Sequence, residues 1–146
     1  MGARKPFDKE LFKENNEAAI WKVVEYLTET AGLFATPNDE LYAPDIIVFN
    51  GFRKAYYVEV EVKHGWKPGQ ESFPFSTVNL PERKGKYLKL RTPIEYWILR
   101  SDMGRAIILP DYLVSSSPLV EVPNRLVESG ELFYQVPTSE CIIKEF

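Results

Sequence analysis

The segment APDIIVFNGFRKAYYVEVEVK, residues 43 to 63, decides the predicted fold, because it contains two apolar runs on either side of a polar, basic interruption. β-branched and aromatic residues dominate both runs, and Asn50 and Gly51 are typical turn residues. The segment therefore predicts an antiparallel β-hairpin with strands at 44–50 and 55–63.

The second run of this hairpin carries three charged residues at every other position. Glu59, Glu61 and Lys63 alternate with valines. Because side chains alternate between the two faces of a strand, the charges share one face and the valines line the other. Taken alone, this pattern is also typical of a solvated strand face whose charges pair with their neighbours.

The register of the hairpin determines which acid can meet Asp45. A two-residue turn at Asn-Gly would place Asp45 opposite Tyr56, about 16 Å from Glu61 along the strand. A wider loop over 50–55 would instead place Asp45 opposite Glu61. The polar residues 51–54 favour the wider loop, so we predict that Asp45 and Glu61 face each other.

Two facing carboxylates predict a cation site. Like charges opposite one another in a ladder are unfavourable unless a cation joins them. Mg²⁺ prefers oxygen ligands and often uses only one or two carboxylates together with water and a substrate phosphate. Lys63, on the same face, could neutralise charge developing on that phosphate. The face then has the chemistry of a phosphodiester-hydrolysing site.

The rest of the chain predicts an α/β domain with a mixed sheet flanked by helices. A helix is expected over 8–32, with Asp8 as its N-cap and Gly32 as its stop. The remaining predicted elements are a strand at 32–36, a loop of about 17 residues after the hairpin, a short helix from Pro81, a hairpin over 95–110 with its turn at 101–104, and further C-terminal strands at 118–123, 131–137 and 140–146.

With these elements in place, the chain resembles the PD-(D/E)XK nuclease superfamily, the fold of restriction endonucleases and Holliday-junction resolvases. Pro44-Asp45, a gap of 15 residues, and Glu61-Val62-Lys63 match the family motif. The order over about residues 8 to 109 matches the restriction-endonuclease-like αβββαβ core. The resemblance implies metal-dependent hydrolysis of phosphodiester bonds in DNA by an endonuclease, leaving a 5′-phosphate.

The resemblance also implies roles for individual residues. Asp45 and Glu61 correspond to the metal ligands, together with the backbone carbonyl of Val62, and Lys63 corresponds to the catalytic lysine. Mg²⁺ is the implied cofactor, with Mn²⁺ able to substitute for it. Glu17 is a further candidate ligand, because its spacing to later apolar residues places it on the predicted buried stripe of the first helix. An acid near a helix start is equally typical of a favourable dipole interaction.

The segment after Pro81 is the most basic part of the chain. It has five cations in nine residues. Arg83, Lys84 and Lys86 are the candidate DNA contacts, and Arg83 and Lys84 are preferred because they lie nearest the long loop. Neutralising phosphates is a main source of DNA affinity. A solvated helix face is the alternative.

Composition sets the remaining expectations. The 146 residues, 45% of them hydrophobic, suit a single domain over 1–146, and a net charge of −3 indicates that any DNA contact is local. One cysteine and one histidine exclude a disulfide framework and a common zinc site. We expect a soluble, cytoplasmic protein with no membrane partner, able to form a homodimer. Two alternatives remain open, a non-catalytic nucleic-acid-binding or assembly module with this fold, and an unrelated α/β protein with an acidic surface strand.

Overall fold

The computed structural model describes residues 9–40, 43–124 and 127–146 of the chain. Helix α1 (Lys9–Glu25) continues as one turn of π-helix (Tyr26–Thr30) and ends before Gly32, whose positive φ of 69° suits glycine. The predicted first helix is confirmed over these residues, while its predicted N-cap, Asp8, lies outside the described ones.

The predicted mixed α/β fold is confirmed by the sheet that the described strands form. Its order is β1-β2-β3-β5-β6-β9, with β3 and β5 parallel and the other neighbours antiparallel. These strands are β1 (Phe34–Pro37), β2 (Ile46–Asn50), β3 (Arg53–Lys63), β5 (Ile94–Arg100), β6 (Arg105–Pro110) and β9 (Ile142–Glu145). The predicted hairpin over 95–110 is β5 and β6, with the turn at 101–104.

A second sheet of three described strands, in the order β4-β8-β7, was not predicted as a separate layer. The loop of about 17 residues was predicted over 64–80, but its last residues form β4, so that part of the prediction is wrong. The predicted tail strands supply the other two strands. The second sheet comprises β4 (Thr77–Pro81), β7 (Leu119–Asn124) and β8 (Val127–Pro137). A 3-10 helix (Glu82–Lys89) follows β4 where the short helix was predicted, a short helix α2 (Asp111–Ser115) follows β6, and a 3-10 turn (Thr138–Glu140) precedes β9.

The two faces of the main sheet bury different cores. The face lined by Val58 and Val60 packs against Val23 and Leu27 on the side of α1. The opposite face carries Tyr96 and Ile98, and packs against the second sheet. Because side chains alternate along β3, Glu59, Glu61 and Lys63 point toward this second core, where Glu59 is buried. We call this side of the main sheet the site face.

The described helices are all too short or too polar to cross a membrane.

Candidate functional site

The register of β2 and β3 differs from both predicted alternatives. Asn50 pairs with Arg53, so Gly51 and Phe52 form a tight turn, and Gly51 adopts a left-handed φ of 63°. The pairing then shifts by one residue, which leaves Ala55 as a β-bulge. The predicted loop over 50–55 is therefore wrong.

The bulge sets the carboxylate that Asp45 meets. Beyond it, Ile46 pairs with Val58, so the next position along the ladder brings Asp45 beside Glu59. The prediction that Asp45 lies opposite Glu61 is wrong for this reason. A tight turn was expected to separate Asp45 from Glu61, but the extra residue at the bulge gives Asp45 another carboxylate partner, Glu59.

Two reciprocal hydrogen bonds hold Asp45 and Glu59 together. The Asp45 backbone amide donates to Oε1 of Glu59 over 3.3 Å, and the Val60 amide donates to Oδ2 of Asp45 over 2.9 Å. These bonds extend the β2–β3 pairing one step past the end of β2, with side-chain oxygens replacing backbone carbonyls. The two carboxyl groups are thus placed by backbone geometry at the end of β2.

Lys84 completes this cluster from the 3-10 helix. Its Nζ lies 2.8 Å from Oε2 of Glu59, and the side chains are 25% and 6% exposed, respectively. Its backbone carbonyl accepts a hydrogen bond of 2.6 Å from the hydroxyl of Tyr96, which neighbours Glu59 across β3 and β5. The ammonium compensates the charge of Glu59, a carboxylate that would otherwise be costly to bury. We call Asp45, Glu59 and Lys84 the carboxylate cluster.

The electrostatics of the cluster are those of two acids sharing one cation. Burial, then the hydrogen bond to Glu59 and its negative charge, raise the pKa of Asp45 from 3.8 to about 7, whereas the Val60 amide and Lys84 oppose this rise. Tyr87 lies beside the pair, and burial followed by the charges of Glu59 and Asp45 raises its pKa to about 12. A further cation would therefore be favourable at the two carboxylates.

Glu61 and Lys63 lie farther along the same face of β3. Glu61 is partly buried and diagonal to Asp45, a separation of about 7 to 8 Å between Cα atoms that long side chains can still bridge. Lys63 directs its Nζ over the ring of Phe75, 5.7 Å from the ring centroid. Val62 directs its side chain into the opposite core. The roles predicted for Asp45, Glu61, Lys63 and the Val62 carbonyl stay predictions.

Glu17 does not lie on a buried stripe. Its side chain is exposed, as is Trp21, which is 60% exposed, while Ala19 and Val23 are buried. The helix packs on the valine face of the sheet, opposite the site face. The predicted spacing assumed that Trp21 faces inward, and this assumption is wrong. A ligand role for Glu17 stays a prediction.

The 3-10 helix divides the basic segment between two surfaces. Side chains three residues apart eclipse each other at three residues per turn. Lys84 and Tyr87 therefore point inward, while Arg83, Lys86 and Lys89 form an exposed row. Arg83 lies 3.9 Å from Glu131. Lys84 pairs with Glu59, whereas Arg83 and Lys86 are exposed. The DNA-binding role predicted for Arg83, Lys84 and Lys86 stays a prediction.

Sequence reasoning missed Tyr87 and Tyr96 as members of the site. It placed Glu59 outside the family motif and expected it to pair with a nearby arginine or lysine, and Lys84 is that partner. The Asn-Gly signal indicated a tight turn near Gly51, but two further facts are needed to reach Glu59. The turn must be at Gly51-Phe52, which would place Asp45 opposite Val58, and one bulged residue must then move it opposite Glu59. The bulge at Ala55 could not be predicted from the sequence, because a bulge depends on how two strands pair.

Among residues 9–40, 43–124 and 127–146, no group of three or more His, Cys, Asp or Glu side chains is arranged to hold a metal ion. The cluster thus offers a pair of carboxylates, a set that suits a hard cation whose other ligands are water or phosphate. The carboxylate oxygens of Asp45 and Glu59 are therefore suitable ligands for Mg²⁺ or Mn²⁺.

Comparisons with known proteins add one solved structure. No protein-family model matches the chain, and no curated protein matches it in sequence. The chain is similar in structure to Hjc, a Holliday junction resolvase from the archaeal hyperthermophile Archaeoglobus fulgidus. The TM-score is 0.44 and the identity 14%, and the alignment covers 89% of this chain and 84% of the resolvase.

Proposed function

We propose that this protein is a metal-dependent nuclease that hydrolyses phosphodiester bonds in DNA, acting as an endonuclease. The observation that carries the proposal is the contact between Asp45 and Glu59, two partly or fully buried carboxyl groups held by backbone amides at the end of β2. Burying two acids in contact is costly for a purely structural role. A bound cation would remove much of that cost.

Asp45 and Glu59 are the residues that would hold the metal, with Glu61 the next acid within reach on the same face. A bound Mg²⁺ would polarise the phosphate and lower the pKa of a water molecule. The Val60 amide keeps the Asp45 carboxylate oriented through its 2.9 Å hydrogen bond. This orientation is provided by the fold before any ligand binds, so little reorganisation is needed.

Two lysines can assist the reaction from different directions. Lys84 is part of the carboxylate cluster, and its flexible side chain allows its ammonium to bind either Glu59 or a phosphate oxygen. Lys63 extends over Phe75 at the end of β3 and would need to rotate toward the cluster. Each could neutralise charge that develops on the phosphate. We favour Lys84, because it contacts one of the proposed ligands directly.

The exposed row of Arg83, Lys86 and Lys89 is proposed to bind the DNA backbone. It shares the 3-10 helix with Lys84, so a phosphate bound by the row lies next to the carboxylate cluster. Phosphate contacts of this type position the substrate without reading its sequence. Their contribution should weaken as salt concentration rises.

A non-catalytic nucleic-acid-binding module is the second candidate, and one contact favours it. The 2.8 Å ion pair between Lys84 and Glu59 supplies an internal cation, so the cluster has partial charge compensation without metal. In that case Asp45, whose pKa is about 7, would be only partly ionised at neutral pH. The two candidates therefore differ in whether Mg²⁺ binds at the cluster.

The decisive test is a cleavage assay with matched variants. Supercoiled, linear, single-stranded and branched DNA, and RNA, are incubated with Mg²⁺ or Mn²⁺ and each variant. We expect Asp45→Asn and Glu59→Gln to reduce cleavage by about 100-fold or more, since each removes a proposed ligand charge. Glu140→Gln, which changes an exposed acid, is the control and should cleave normally.

The same assay tests the roles of the two lysines and of Glu61. Lys84→Met and Lys63→Met separate the two candidate lysines, and Glu61→Gln tests whether Glu61 joins the site. Cleavage that survives both Asp45→Asn and Glu59→Gln would refute the proposal. Retarded gel mobility without cleavage by any variant, and without an effect of Mg²⁺, would favour the binding module.

A further inference from the structure

The site face has an open part beyond the carboxylate cluster. On the β5 and β6 side, this face is covered by the second sheet. On the β1 and β2 side it carries exposed aromatic rings: Phe34 is 64% exposed, and its ring centroid lies 5.7 Å from that of the partly buried Phe49. Neither ring belongs to the two described core clusters. Large exposed aromatic groups that lie side by side often mark a binding surface.

The β-bulge adds a cation to this surface. The extra residue at Ala55 shifts the alternation of β3, so Lys54 pairs with Phe49 and points to the same face as Tyr57. The Nζ of Lys54 lies 5.9 Å from the centroid of the Tyr57 ring. Without the bulge, Lys54 and Tyr57 would point to opposite faces. We call Phe34, Phe49, Lys54 and Tyr57 the β1–β3 platform.

The hairpin tip extends the platform with the same chemistry. Phe52, in the turn, has a completely exposed side chain, and Arg53 beside it is also exposed. Over residues 46–58 the charged side chains are Arg53 and Lys54, both positive, although the whole chain has a net charge of −3. The local charge is therefore complementary to a polyanion, whereas the molecule as a whole is not.

We propose that the β1–β3 platform binds the unpaired bases of a single DNA strand, with Lys54 on its phosphates and the aromatic rings stacked on its bases. Exposed aromatic rings combined with nearby cations are the usual means of binding single strands without sequence preference. A duplex hides its base faces, so it cannot use these rings in the same way.

The platform leads directly to the carboxylate cluster. Lys54 and Glu59 lie on the same strand, five residues or about 16 Å apart, and Tyr57 lies between them on the same face. A strand that lies along β3 would thus bring one of its phosphodiester bonds to Asp45 and Glu59. Delivery to the cluster rests on the proposed nuclease function, but binding by the platform does not.

Binding is tested in EDTA, where no cleavage occurs, by fluorescence anisotropy of a labelled 20-nucleotide thymidine strand and of a 20-base-pair duplex. The full chain should bind the single strand more tightly than the duplex. Phe34→Ala and Phe52→Ala should each weaken single-strand binding about 5-fold or more, given the usual contribution of base stacking. Both residues are exposed, so the variants should keep the melting temperature of the wild type.

Tyr112→Ala is the matched control, because Tyr112 is 71% exposed on α2, away from the platform, and it should bind like the wild type. A second measurement uses Phe52→Trp, whose fluorescence should be quenched when the single strand is added. Equal affinity of wild type, Phe34→Ala and Phe52→Ala, with no quenching, would overturn the proposal. So would an effect of Phe34→Ala on self-association alone, which would make the surface an interface between two copies.

Failure of the platform can be distinguished from failure of the nuclease function. Single-strand binding that needs Phe34 and Phe52, with no cleavage under any metal condition, would support the platform and refute the nuclease proposal. Cleavage that depends on Asp45 and Glu59 but is unchanged in Phe34→Ala and Phe52→Ala would do the reverse.

Discussion

Replacing Asp45 by Asn should stabilise the metal-free protein at alkaline pH. The Asn side chain is the same size, can still accept the hydrogen bond from the Val60 amide, and can donate to Glu59. It removes the negative charge that burial and Glu59 disfavour. Most substitutions of partly buried polar residues destabilise, so a gain in stability would identify this electrostatic cost specifically.

The sign and size of the effect follow from the pKa of Asp45. The pKa of Asp45 is about 7 in the folded protein, compared with an ordinary value of 3.8, which we take for the unfolded chain. The folded state therefore binds the proton more tightly than the unfolded state. Wild-type stability is therefore fully present below about pH 4 and falls as the pH rises toward 7. The full difference corresponds to at most about 4 kcal/mol at 1.36 kcal/mol per unit. Because Asp45 is partly solvated, we expect about 1 to 3 kcal/mol.

Urea unfolding at pH 4.5 and pH 8, followed by tryptophan fluorescence in EDTA, measures this difference. The free energy of unfolding of Asp45→Asn should exceed that of wild type at pH 8, and the gap should nearly vanish at pH 4.5. Asp39→Asn, which changes an exposed acid, should show no such gap. Equal or lower stability of Asp45→Asn at pH 8, or a gap that does not depend on pH, would refute the reasoning.

Three further predictions concern the same cluster and its support. Adding 10 mM Mg²⁺ or Mn²⁺ at pH 8 should raise the melting temperature of wild type, because a ligand that binds the folded state stabilises it, and should not raise that of Asp45→Asn or Glu59→Gln. Lys84→Met should lower the free energy of unfolding by about 3 kcal/mol, since it leaves a buried carboxylate unpaired. Chemical denaturation should show that the double variant with Glu59→Gln regains part of this stability, and additive losses in the double variant would contradict the pairing. Gly85→Ala should destabilise the protein by about 1 to 3 kcal/mol through overpacking, because the new Cβ would lie 2.6 Å from the hydroxyl of Tyr134. The double variant with Tyr134→Ala should lose less stability than the sum of the two single losses.

The sequence predicted the main elements of this fold through local patterns. The helical spacing of Val23, Val24 and Leu27 identified α1, and the two apolar runs around 101–104 identified β5 and β6. The tail strands were also predicted, but their separation into a second sheet and the edge strand β9 was not. Pairing between distant strands depends on contacts that local propensity does not describe.

The candidate site was only partly predictable. The shared face of Glu59, Glu61 and Lys63 was predicted correctly, because alternation along a strand is a local property, whereas the role of Asp45 stays a prediction. Glu61 was chosen over Glu59 because the loop was judged to be wide, and this choice was wrong in register. Lys84 was identified as part of a basic segment, but an α-helical reading could not separate it from Arg83 and Lys86, which a 3-10 helix does.

The amino-acid sequence by itself determined the local elements: a long helix, β-hairpins, a strand with Glu59, Glu61 and Lys63 on one face, and a basic segment after Pro81. Only the tertiary structure decided which acid meets Asp45 and which lysine meets that acid. The physical reason is that one bulged residue shifts a ladder by a whole position, and a shift of one position exchanges every partner across the strands.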